Sequence, residues 1–155
     1  MIYDIDYHID RDYILYESEK VQYSSFVDPK SKNVLDFWKI CHDVGPYTQA
    51  ITNDLCKILD VHIKPRYYIQ EVGSTIPWHV DRGTKCAINV VLSTDRDPIE
   101  FRDRSYHYST ALIDTTKEHR VSAVTEPRVL FKMSIFDKSF GDCRDAYIEY
   151  QRRTP

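Results

Sequence analysis

No stretch of this sequence approaches the roughly 18 consecutive apolar residues of a membrane span, and its opening residues, MIYDIDYHID, lack the apolar core of a secretory signal. The expectation is a soluble intracellular protein with no membrane partner. Cysteine is sparse: the four residues Cys41, Cys56, Cys86 and Cys143 lie far apart, with no C-x-x-C pair among them. Their scatter excludes a disulfide framework, argues against structural zinc and fits reduced thiols. No basic run occurs, and 24 acidic against 21 basic side chains leave a net charge of −3, which does not favour nucleic acid as a partner. Internal repeats, low-complexity tracts and linkers are missing too, so residues 1–155 read as a single domain.

What remains is ordinary globular material. An apolar fraction of 42% with 29% charged residues excludes disorder, and 155 residues suffice for a core. The 12 tyrosines suit half-buried strand faces. Residues 1–30 mix Tyr, Asp and Ser around short apolar pieces, reading as a strand or two and an irregular arm. Val34, Leu35, Phe37, Trp38 and Cys41 recur at helical spacing behind Ser31 and Asn33, which predicts a first helix broken by VGP at 44–46. Pro46 opens a second, whose stripe of Tyr47, Ile51, Leu55 and Ile58/Leu59 runs to Asp60.

Beyond His62 the pattern turns to short strands: RYYIQEV, KCAINVVL, PIEF, SYHYSTALI, RVSAV and RVLFKMSIF, separated by DRG, STDRDP and TEP. Such spacing predicts an antiparallel barrel or jelly roll at 61–150, with residues 1–60 supplying an arm and two bracing helices. Within KCAINVVL, Cys86, Ile88, Val90 and Leu92 share one apolar face, and Lys85, Ala87, Asn89 and Val91 share a mixed one. A polar pocket would lie on the side of Asn89.

Two H-x-D pairs occur, His8–Asp10 and His79–Asp81, and composition alone predicts about two-thirds of one. Context separates them. An iron site of the facial-triad type needs two histidines and one carboxylate on one side of the metal. Residues i and i+2 of a strand point the same way, so His79 and Asp81 could supply two ligands. His119 stands 38 positions beyond Asp81, room for about three intervening strands before a barrel closes on the pair. His8 has no such partner and reads as a surface residue, while His107 reads as a strand-face residue or a substrate contact. Arg128, nine positions after His119, lies in an apolar strand and needs an anionic partner. Glu100 or Asp114 could provide it, as could the carboxylate of a small molecule gripped by the guanidinium fork.

This order of H-x-D, distant His and following Arg resembles the iron(II)- and 2-oxoglutarate-dependent oxygenases. The wording G-x5-H-V-D-R-G-x-K-C-A-I-N-V-V-L and A-L-I-D-T-T-K-E-H-R-V-x-A-V-T-E-P-R-V-L-F-K-M-S-I is similar to small aspartyl/asparaginyl β-hydroxylase-like and prolyl-hydroxylase-like members found in bacteria and phages. The likeness spans residues 66–137. It implies a mainly β, double-stranded β-helix fold and a cytoplasmic location, a host's cytoplasm if the source is viral. It further implies His79, Asp81 and His119 as iron ligands, Arg128 on the distal carboxylate of 2-oxoglutarate and Asn89 on the same co-substrate. Several relatives carry Ser where Leu130 stands here, and prolyl hydroxylases carry Tyr where Gln70 stands. Tyr68, on the same strand face as Gln70, is available in its place. The implied activity is a hydroxylase consuming Fe(II)-bound 2-oxoglutarate and O2, with succinate and CO2 released and a peptide, amino acid or nucleotide oxidised. Alternatives on the same scaffold are a non-oxidative cupin-like metalloprotein and a non-catalytic jelly-roll binding module. Arg82, Lys85, Arg102, Arg104, His107 and Arg120 form either a basic substrate rim or a solvated charged edge.

Overall fold

Alternating apolar and polar residues build two antiparallel sheets in the computed structural model, which describes residues 1–94 and 97–154. In chain order the strands are β1 (Ile2–Asp4), β2 (Ser24–Val27), β3 (Val34–Cys41), β4 (Ile63–Gln70), β5 (Ile76–His79), β6 (Cys86–Val91), β7 (Ile99–Phe101), β8 (Ser105–Tyr106), β9 (Thr110–Ile113), β10 (His119–Val121) and β11 (Arg128–Ile135). Helices are α1 (Arg11–Ser18), α2 (Pro46–Leu59) and α3 (Phe140–Arg153). The major sheet runs β1-β9-β6-β11-β4-β3-β2 and the minor one β5-β10-β7-β8. Of the barrel and the jelly roll that the strand spacing allows, this is the mainly β jelly roll, arranged as the double-stranded β-helix that the resemblance implies. Among the described residues no helix is long and apolar enough to cross a membrane.

Strand alternation sorts the core into two layers. Ile88, Val90, Phe131 and Met133 point to the helix side, where they join Leu55 and Leu59 of α2 and Tyr147 of α3. Val91 and Leu130 point the other way, joining Tyr68, Ala111 and Ile113 against Ile99 and Phe101 of the minor sheet. The two faces read from KCAINVVL are therefore those observed, with Asn89 turned from the helices.

Three elements depart from the sequence reading. Residues 34–41 form β3 and not a helix, because Trp38, Ile40 and Cys41 pair in register with Gln70, Tyr68 and Tyr67 of β4. A short aromatic and β-branched run satisfies both periods, and an available sheet edge decides it. Residues 11–18 form α1, capped by Asp10, whose side chain accepts from the Tyr13 N–H. The helix α3 at 140–153 lies where the sequence reading ended the β core at 150; Ser139 caps it and Arg152 and Arg153 close its last turn.

The second predicted helix is present, but its cap comes from elsewhere. Gly45 at the N-cap offers no side chain, and Glu17 of α1 fills the role. Its carboxylate accepts from the Tyr47 and Thr48 N–H groups at 2.9 and 2.8 Å and from the Thr48 hydroxyl at 2.8 Å. A negative charge at a helix N-terminus also meets the helix dipole favourably. Replacing Glu17 by Ala leaves the Tyr47 and Thr48 N–H groups without their acceptor, while the Thr48 hydroxyl keeps the Tyr67 hydroxyl at 2.6 Å, at a cost of about 2 kcal/mol. For a chain of this size that lowers the melting temperature by roughly 4–8 °C, measurable by thermal unfolding; an unchanged midpoint would show that the contact contributes nothing.

Candidate metal centre

The crossing of the two sheets brings together residues far apart in the chain. β5 ends at His79, and β10 begins at His119 directly opposite it in the antiparallel register. Asp81 lies just past the end of β5, where its N–H donates to the Thr115 carbonyl. Between Asp81 and His119 the chain makes β6, β7, β8 and β9, four strands where spacing suggested about three, because SYHYSTALI divides at 107–109. Each of His79, Asp81 and His119 offers one ligand atom, and these atoms all lie within 4.8 Å of one another.

The ring orientations are set by the backbone. His79 Nδ1 lies 2.7 Å from the Pro77 carbonyl and His119 Nδ1 2.7 Å from the Lys117 carbonyl. A carbonyl only accepts, so both Nδ1 atoms carry the proton and both Nε2 atoms face inward. They stand 3.2 and 3.4 Å from the same oxygen, Asp81 Oδ1. A second proton on each ring or one shared cation satisfies this convergence of lone pairs. Such anchoring of the outer ring nitrogen is how metal-ligating histidines are held.

The other carboxylate oxygen is occupied. Lys132 Nζ donates to Asp81 Oδ2 at 2.5 Å. Burial pushes the Asp81 pKa up, but the Lys132 charge and the hydrogen bonds of the cluster outweigh it and hold the carboxyl well below the usual range. Asp81 is thus an anion at neutral pH, with one oxygen left toward the histidines. The His119 side chain is 7% exposed and that of His79 32%, so the cluster opens to solvent on the His79 side.

Behind the cluster a cavity is lined by Tyr68, Gln70, Asn89, Thr115, Arg128 and Lys132, with Trp38 and Ile76 among its apolar walls. Arg128 is 4% exposed, and its Nη2 donates to the Tyr108 hydroxyl at 3.0 Å, which also lies 3.2 Å from Asn89 Nδ2. Neither protein acid considered for Arg128 serves it. Glu100 is taken by Arg120 and Ser122, and Asp114 by Thr116. Arg128 Nε, Asn89 Oδ1 and Gln70 Oε1 are buried without partners. Tyr68 lies in the same wall, stacked on Trp38 at 5.0 Å, with its hydroxyl pushed up to about 12, mainly by burial.

Tyr108 and Lys132 escaped the sequence reading. Lys132 could have been found, since it lies on the Arg128 face of β11 four residues on. Tyr108 sits in the irregular link after β8, where no period applies; its neighbour His107 lines a surface concavity with Asp4 and Ile5. His8 is exposed and its Asp10 is a helix cap, as befits the H-x-D pair without partners. Part of the basic rim is self-compensated. Arg102 and Arg120 lie over the Trp78 ring at 4.0 and 4.8 Å and pair with Glu118 and Glu100. Arg104 lies 3.8 Å from Asp103, and Arg82 and Lys85 are exposed.

Solved structures share this architecture. A prolyl hydroxylase from Trichoplax adhaerens, in complex with a hypoxia inducible factor oxygen degradation domain peptide fragment, superposes with a TM-score of 0.68 over 88% of this chain and 83% of its own, at 11% identity. The fold of this chain is shared with that hydroxylase. HygX from Streptomyces hygroscopicus, with nickel, 2-oxoglutarate and hygromycin B bound, matches this fold at a TM-score of 0.62, covering 88% of this chain and 82% of its own at 11% identity. A 2OG-Fe(II) oxygenase family protein from Burkholderia pseudomallei gives 0.59, with 84% and 79% covered at 11% identity. No family model matches the chain, and no curated protein does. At such identity the oxygenase fold is what is shared.

Proposed function

We propose that the chain is an Fe(II)- and 2-oxoglutarate-dependent dioxygenase that hydroxylates a substrate and releases succinate and CO2. One observation carries the reading: two histidines with inward Nε2 atoms converge on one oxygen of Asp81, beside a buried Arg128 that no acid among the described residues neutralises. The residues fit the groups they would hold. His79, Asp81 and His119 form a two-histidine, one-carboxylate set suited to ferrous iron, with further coordination positions left for other ligands. Arg128 and the Tyr108 hydroxyl form a donor end for a terminal carboxylate, and Asn89 flanks it. When bound, iron with 2-oxoglutarate supplies the activation of O2 that couples co-substrate decarboxylation to C–H oxidation.

The chain's own residues do the rest. Lys132 occupies Asp81 Oδ2, which restricts the carboxylate to a single inward oxygen. The Pro77 and Lys117 carbonyls keep both imidazoles in the ligating tautomer. Ile76, Ile99, Val121 and Leu130 keep the cavity dry, which strengthens the Arg128 charge on an anion. The half-exposed His79 side admits the substrate.

Purified protein loaded with Fe(II) should release succinate from 2-oxoglutarate in air, and more when supplied with the right member of amino-acid, peptide and nucleotide pools. Under anaerobic conditions iron plus 2-oxoglutarate should give a weak visible charge-transfer band. Absence of both band and succinate sinks the proposal in favour of a non-oxidative metalloprotein or a binding module.

A further inference from the structure

The inner face of the major sheet carries two cations side by side. In the register of β11 on β4, Lys132 stands directly opposite Arg66, and like charges so placed are destabilising. Lys132 is answered by Asp81. Arg66 is not. Its Nη2 donates to the Ser134 hydroxyl at 2.6 Å, its Nε is buried with no partner, and among the described residues no acid pairs with it. The guanidinium lies 5.7 Å from the centroid of the Tyr68 ring, and Tyr68 and Lys132, its neighbours on this face, both line the cavity. β3 ends at Cys41, opposite Tyr67, which leaves Arg66 without a strand neighbour on that side and opens the row to the rim.

Charge accounting sharpens the point. A divalent metal, the Asp81 carboxylate, a co-substrate dianion and Arg128 together sum to zero. Although Asp81 still accepts one Lys132 bond, Lys132 and Arg66 add two positive charges beyond that sum, and a partly buried cation pair of this kind is costly unless a ligand supplies the counter-charge. The Lys132 ammonium has three donors, of which Asp81 takes one.

We propose that Arg66 and Lys132 jointly hold one anionic group of the substrate, a carboxylate or a phosphate ester, beside the metal centre. The proposal rests on the oxygenase reading above for the word substrate, and on Arg66 for the site itself. It places the group to be oxidised a short reach from a fixed negative charge, so the enzyme selects acidic molecules or side chains over their neutral analogues.

The test uses protein loaded with nickel, which binds such ligands without turnover, together with 2-oxoglutarate. Inorganic phosphate and, separately, acetate are titrated in by calorimetry, and the two arms tell a phosphate site from a carboxylate site. The wild type should bind at least one anion saturably, Arg66→Gln should weaken it by roughly tenfold, as the loss of one charge-assisted bond predicts, and Arg66→Lys should retain most of the affinity. Affinity for 2-oxoglutarate should be the same in all three proteins, and thermal unfolding should show each variant folded. Equal anion binding by wild type and Arg66→Gln overturns the proposal, since the anion then sits on the metal or elsewhere. So does the absence of anion binding by a wild type that binds 2-oxoglutarate. If instead 2-oxoglutarate fails to bind while phosphate or acetate binding still depends on Arg66, the oxygenase reading falls and the anion site stands.

Discussion

Replacing His119 by alanine should abolish metal binding while leaving the fold in place. His119 is buried on β10, opposite His79, with its Nδ1 already committed to the Lys117 carbonyl. Alanine therefore deletes a ligand outright, not a contact that the backbone could replace. Even loss of a group that merely orients a ligand lowers metal affinity by about 10–100-fold, so loss of the ligand itself should exceed roughly 100-fold. The wild type should hold close to one equivalent of iron or nickel after desalting, and the variant almost none. Thermal unfolding offers a second measure. Metal at about 100 times its dissociation constant stabilises the folded state by about 2.7 kcal/mol, or roughly 5–10 °C for a chain of this size. That shift should vanish in His119→Ala and persist in His8→Ala, whose H-x-D partner caps a helix. An unaltered metal-induced shift in His119→Ala would remove the basis for the whole site.

Arg128→Met is the second change with a large effect, and it should move stability and co-substrate binding in opposite directions. Arg128 is buried, donates to a tyrosine hydroxyl and carries an unpartnered Nε, with no acid among the described residues to neutralise it. Exchanging a buried, uncompensated cation for an apolar chain of similar length is neutral or stabilising. The ligand-free variant should therefore melt no lower than the wild type. Binding of 2-oxoglutarate should weaken by about 100-fold, because two charge-assisted bonds at roughly 1.5 kcal/mol each are lost. A variant that melts several degrees lower and binds 2-oxoglutarate normally would assign Arg128 to the scaffold and leave the co-substrate without an anchor. The contrast with Glu17→Ala is informative. There every donor facing the carboxylate belongs to the protein, and removal of the charge costs stability alone.

Most of the residues that converge at the candidate site were legible because a strand's period of two is a local property, which here extends one step past the end of β5 to Asp81. His79 and Asp81 two apart, Asn89 on the mixed face of KCAINVVL and Arg128 in an apolar strand follow from it directly. Lys132 obeys the same rule as Arg128. Tyr108 does not, since its hydroxyl reaches Arg128 from an irregular link, and only the fold of that link aims it inward. The misread run at 34–41 shows the opposite limit: five apolar residues fit a helix as well as a strand, and the edge of β4 settled the matter.

Composition and periodicity were enough for a mainly β chain, two opposed faces on its central strand and a short roster of candidate metal ligands, because each depends on neighbours a few positions away. Which H-x-D pair acquired a second histidine beside it, which acid did not reach Arg128, and which cation was left without one are matters of distance between strands remote in sequence. Closing β10 against β5 placed His119 on His79 and committed Glu100 to Arg120, while the pairing of β11 with β4 set Lys132 beside an Arg66 that no acid among the described residues answers.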